Sequence, residues 1–112
     1  QLIVVCSGFD ACGLDPLARL MLHSSVYRTL TTMLMDCAAD ICQGKIAMIH
    51  EGGYSRALAP YCGLAVIEAL SGVETGIVDP FEEYVSAFGG QDLQPHQNSV
   101  ISEAQKLVND IQ

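Results

Sequence analysis

Two short apolar runs, each driven straight into a glycine turn, constrain this chain more than any other feature. Leu2 to Cys6 (LIVVC) runs into Ser7-Gly8, and Lys45 to His50 (KIAMIH) runs into Glu51-Gly52-Gly53-Tyr54. Short runs of this kind without alternation read as strands buried on both faces, as in a parallel sheet. Between them lies a helical pattern. Ser24 or Ser25 is placed to cap it, and Val26, Leu30, Met33, Leu34, Cys37 and Ile41 recur on one face at a 3.6-residue period up to about Cys42. Gln43-Gly44 ends it. A strand, helix and strand joined this way form a right-handed crossover between parallel strands. Two parallel strands do not stand alone. The reading is therefore an α/β fold, and residues 1–112 are expected to be the C-terminal portion of one larger doubly wound domain, cut near Gln1.

The rest of the chain reads as helices and loops. Ser7 to His23 is a long loop containing Gly8, Gly13 and Asp15-Pro16. A nearly all-apolar helix runs from about Arg56 to Leu70, with Pro60 in its first turn and Ser71-Gly72 at its end. Such a helix must be covered on most sides. Asp79-Pro80 starts a short helix by cap and N1 proline, which Phe88-Gly89-Gly90 stops. A last helix, about Pro95 to Ile111, carries Val100, Ile101, Ala104, Leu107, Val108 and Ile111 on one stripe. The expectation is two strands and about four helices.

Charge and cysteine usage bound the function. The net charge is −8, from 13 acidic and 5 basic residues. Binding a phosphate backbone needs clustered Lys and Arg, so no direct nucleic-acid partner is expected. A cationic substrate suits an acidic surface, but on charge alone solubility is the better account. No run of eighteen apolar residues suggests a membrane span, and no leader pattern is present. Cys37, Cys42 and Cys62 fall on helix faces read as apolar, where a thiol behaves as a small hydrophobe. Free thiols imply a reducing, cytoplasmic setting. Cys12 lies in a loop near Asp10, but a nucleophile needs an activating base and none is identifiable. Unpaired sheet edges predict self-association or a homo-oligomer.

In open parallel sheets, ligands bind at the carboxyl ends of the strands. The two turns bring Asp10 and Tyr54 to that same edge. A carboxylate there can ligate a cation, and a phenol can donate to a developing oxyanion. From spacing alone, however, an Asp in such a loop is usually a turn or cap residue, and a tyrosine after Gly-Gly is usually packing. One carboxylate is not a metal site, and His23, His50 and His96 have no ligand spacing to a partner. They read as surface or structural histidines.

Longer motifs carry a resemblance. SGFDACGLDPLARLMLHSSVYRTLT resembles a segment of histone deacetylases and their bacterial relatives. GKIAMIHEGGYSRALAPYCGLAVIEALSG resembles the segment that follows it, and DPFEEYVSAFGGQDLQPHQNSVI is similar to the tail of bacterial deacetylase-like amidohydrolases, a group that includes acetylpolyamine amidohydrolases. The resemblance implies the C-terminal part of an arginase/deacetylase-like three-layer fold, with helices on both faces of a mostly parallel sheet. It implies a zinc ion (Zn2+) held by an Asp-x-His pair and a later aspartate, which matches Asp10. It implies an oxyanion-stabilising tyrosine, matching Tyr54, and a glycine pair lining the acyl-lysine tunnel, matching Gly52 and Gly53. A tyrosine at this position resembles the bacterial or class I style of site. Many animal class II enzymes carry histidine there.

The family's Asp-x-His pair, its tandem histidines and its monovalent-cation sites have no counterpart in these residues. The resemblance thus implies a part of a zinc-dependent amidohydrolase that removes acetyl groups from lysine side chains or polyamines. The alternative is a fragment or degenerate homologue without activity, acting as an association module.

Overall fold

The structure is a computed structural model and describes residues 1–18, 20–88, 90 and 92–109. Strand β1 (Ile3–Ser7) is followed by helix α1 (Ser24–Cys42), strand β2 (Ile46–His50), and helices α2 (Ala59–Ser71), α3 (Glu82–Ser86) and α4 (Pro95–Asn109). The strands pair in parallel, with Val5 opposite Met48 and Ser7 opposite His50. A strand, helix and parallel strand thus form in the expected order. Two parts of the expected helix ends, Gly89 and Ile111, lie outside the described residues.

Pleating sorts the strand side chains into two sets. Val5, Ser7, Met48 and His50 face the two long helices, which pack on each other and over this side of the sheet. Val4 and Ile49 point the other way and are 54% and 51% exposed. The expectation of strands buried on both faces is corrected here: among the described residues no element covers the second face. The apolar run reports the environment of a strand in a three-layer sheet, and this chain supplies one covering layer.

The same holds for the helices. In α1 the buried residues are Ser24, Tyr27, Thr31, Ala38 and Cys42, whereas Leu30, Met33, Cys37 and Ile41 of the expected face are exposed. This buried set is mostly small or polar, and the Thr31 hydroxyl bonds back to the Tyr27 carbonyl at 2.8 Å. Neither Ser24 nor Ser25 caps α1. His23 occupies that position, and its Nδ1 pairs with the Ser25 hydroxyl at 2.9 Å. Gln43, left-handed at φ 60°, ends the helix. In α2, Cys62, Ala65 and Val66 are buried but Ile67 is 62% exposed, so its cover is one-sided. The described side chains of α4 are exposed throughout, so its predicted stripe forms without packing.

The core gathers where the loops meet the helices. Phe9, Cys12, Tyr27, Leu58, Cys62, Val66 and Val85 form one buried cluster. Leu58 and Val85 are completely buried. A Cβ on Gly13 would lie 2.6 Å from Val85 Cγ1, so the loop after β1 seats α3 directly on its backbone. Glu68 ties α1, α2 and the next loop together. It accepts from the Arg28 guanidinium, and from the Thr75 N–H at 2.7 Å and hydroxyl at 2.5 Å. The Thr75 hydroxyl first, and then Arg28, bring its carboxyl down to about 2, although burial opposes the shift.

Candidate active site

The turns that leave β1 and β2 pack against each other at the carboxyl edge of the sheet. The Phe9 N–H donates to the Gly52 carbonyl at 2.7 Å, and the Glu51 N–H to the Ser7 carbonyl at 3.4 Å. These bonds extend the ladder two residues beyond the strands. They place Asp10 against the glycine turn. A Cβ on Gly52 would lie 2.6 Å from Asp10 Oδ2, and one on Gly8 would lie 2.8 Å from Oδ1. The carboxylate therefore sits in a cradle of two glycine backbones, and only glycine leaves it room. Among the described residues no hydrogen bond or ion pair engages it. It is half-buried.

Gly53 has φ 134°, a conformation side chains rarely adopt, and its missing Cβ would meet the Phe9 Cβ at 2.9 Å. This close contact turns the chain so that Tyr54 projects outward, 55% exposed. Phe9 is the wall behind both turns. It stacks on His50 at 4.9 Å and meets Tyr27 edge-on at 5.4 Å. Beside Tyr54 an apolar groove of about 550 Å3 opens between Phe9, His50, Arg56 and Ile67.

The structure thus brings Asp10, Gly52, Gly53 and Tyr54 into one neighbourhood. It does not add the histidines. His23 lies 3.5 Å from Glu82, His50 is occupied by its stack on Phe9, and His96 is exposed on α4. Among the described residues no group of three His, Cys, Asp or Glu side chains converges on a common point. Cys12 and Cys62 are completely buried, and burial pushes the Cys62 thiol up to about 12 and raises that of Cys12. All five cysteines are free. Cys6 is exposed, and its hydrogen bond with Glu51 raises its thiol.

Sequence reasoning missed Asp15. It is only 5% exposed and accepts the Tyr54 N–H at 2.8 Å on Oδ2. Its Oδ1 accepts the Leu17 and Ala18 N–H groups at 2.8 and 3.1 Å. Burial would raise its carboxyl, but the N–H groups of Tyr54, Leu17, Ala18 and Ser55 outweigh that and hold it below the ordinary value. The Asp-Pro dipeptide signals a local turn, and the bonds to Leu17 and Ala18 are that turn. The bond to Tyr54 joins positions 39 residues apart and has no local signal.

A family model for the histone deacetylase domain matches residues 1–70. The chain is 53% identical over 85 residues to the histone deacetylase-like amidohydrolase of Pseudomonas aeruginosa, an alignment covering 76% of this chain and 22% of that protein. It is 30% identical over 85 residues to histone deacetylase 8 of Arabidopsis thaliana, covering 75% of this chain and 22% of that one. The crystal structure of the HDA15 HD domain superposes with a TM-score of 0.56 at 31% identity, covering 76% of this chain and 24% of that chain. The chain spans under a quarter of the length of these proteins. A family model over residues 1–70, backed by similarity in both sequence and fold, makes this chain a member of the histone deacetylase domain family.

Proposed function

We propose that this chain supplies one edge of the active site of a zinc-dependent amidohydrolase that removes acetyl groups from lysine side chains or polyamines. The observation that carries the reading is the unpartnered Asp10 carboxylate in its glycine cradle, one turn away from an outward-pointing Tyr54. Asp10 suits zinc as a single oxygen ligand of a site completed by residues outside the described set. When bound, zinc supplies Lewis-acid polarisation of an acyl carbonyl and acidifies water.

The chain's own residues position the ligand, the donor and the substrate. Asp10 holds its two oxygens against the two glycine backbones, and no hydrogen bond among the described residues takes them up. Tyr54 offers a hydroxyl from a fixed backbone to the oxygen of a tetrahedral intermediate. Gly52 and Gly53 let an extended acylated chain pass close to the backbone. The proton-transfer groups belong to the longer polypeptide, and the segment on its own is expected to be inactive. A cytoplasmic location and self-association belong to the same proposal.

The test is Tyr54→Phe in the full-length protein, assayed on an acetyl-lysine peptide and an acetylated polyamine. Losing one such donor lowers kcat by about 10²–10³. Zinc content measured by mass spectrometry should stay unchanged. An unaltered kcat on both substrates removes Tyr54 from the chemistry. The second reading, an inactive association module, draws on the open sheet face of Val4 and Ile49. It predicts no zinc and no turnover in the full-length protein.

A further inference from the structure

We propose that Asp15 is a positioning residue for Tyr54, fixing the tyrosine through the backbone of its turn. This rests on the proposed role of Tyr54 as the oxyanion donor. The Tyr54 ring is exposed, and no aromatic pair or side-chain hydrogen bond among the described residues holds it. Its placement therefore comes from the main chain alone. Two anchors set that main chain. One is the seat of Gly53 on Phe9. The other is the Tyr54 N–H, which donates to Asp15 Oδ2 at 2.8 Å.

The second anchor is unusual in its chemistry. Asp15 is a buried anion with no cationic partner among the described residues, held by backbone N–H groups instead. A turn alone needs only one acceptor, which serine or asparagine supplies without burying a charge. Here one carboxylate oxygen closes the Asp15 turn and the other crosses to the Tyr54 turn. The loop holding Asp10 and the turn holding Tyr54 are thereby locked at one separation. Asparagine has a single acceptor oxygen and would turn an NH2 donor toward one of these N–H groups.

The experiment is a double-mutant cycle in the full-length protein. Asp15→Asn should lower kcat on an acetyl-lysine peptide by on the order of 10–100-fold, because a misplacement of about 1 Å commonly costs that much. KM should change far less, and zinc content not at all. Combined with Tyr54→Phe, the same substitution should cost less than about threefold more, since its effect runs through the lost hydroxyl. Full additivity of the two penalties overturns the proposal while leaving the role of Tyr54 intact. An unchanged kcat in Tyr54→Phe alone removes the site reading, and this proposal with it.

If Asp15→Asn does not fold, Asp15→Glu keeps the anion and lengthens its reach by one methylene. A folded Asp15→Glu protein with lowered kcat, non-additive with Tyr54→Phe, supports the proposal. A folded one with wild-type kcat overturns it.

Discussion

Replacing Gly52 by alanine isolates the role of the Asp10 cradle. The φ of Gly52 lies outside the left-handed region, so alanine's backbone is unstrained there. The cost comes from the new methyl, which would lie 2.6 Å from Asp10 Oδ2, 2.9 Å from Cγ and 3.3 Å from Oδ1. Carbon and oxygen in contact sit at about 3.3–3.6 Å, so the carboxylate must retreat by roughly 0.7 Å. Asp10 is half-buried and unpartnered, so it can swing toward its open side, and the stability cost stays within the ~1–3 kcal/mol of a mild overpacking. A metal ligand tolerates about 0.2 Å, a third or less of that displacement. Zinc affinity should therefore fall by about 10–100-fold, the range seen when the support of a ligand is disturbed.

The assay is competition of the full-length protein against a zinc chelator, with a melting curve of the apo form alongside. Gly44→Ala is the control, because Gly44 has φ 74° and nothing within 4 Å of its missing Cβ. It should lower the melting temperature through backbone strain and leave zinc affinity alone. Gly52→Ala protein that binds zinc as tightly as wild type would refute the reasoning. So would a Gly44→Ala protein that loses zinc in equal measure.

Two predictions concern stability. Leu58 is completely buried in the central cluster, so Leu58→Ala should cost about 2–5 kcal/mol in urea unfolding. Glu68 binds its proton more weakly folded than unfolded, with its carboxyl brought down to about 2. Its stabilisation is complete above the unfolded value near 4.5 and is lost as pH falls from there toward about 2. Glu68→Gln should flatten that part of the acid-unfolding curve followed by circular dichroism, and an unchanged slope would show that the Thr75 and Arg28 bonds do not set it.

What was legible in the sequence was local. LIVVC and KIAMIH carry their strand character in a few adjacent residues, and the crossover follows from chain connectivity. Asp10, Gly52, Gly53 and Tyr54 are legible as a group because a parallel pair carries both turns to one edge. The buried faces were not. Leu30, Met33 and Ile41 have the periodicity of a core stripe, yet the residues that α1 buries are Ser24, Tyr27, Thr31, Ala38 and Cys42. Periodicity reports that a face is apolar without saying which element meets it, and α1 carries two such faces. Asp15 was hidden for another reason: half of its bonding is an ordinary local turn, and the other half exists only once the two loops touch.

Asp10 and Asp15 show why residue type and spacing stop short of assigning a role. They share one loop and both reach the turn after β2. Asp15 is met there by N–H groups, and its charge is satisfied within the fold. Asp10 is met by two glycines, whose missing side chains let it approach but give it no donor in return. A carboxylate surrounded by donors sets geometry, and one left with open oxygens is available to a ligand. The turn after β2 makes the division itself: its glycine backbone faces Asp10, and the N–H groups that follow face Asp15. A substitution in that turn is therefore expected to disturb ligand binding or tyrosine placement according to which aspartate it touches, and the two effects should separate experimentally.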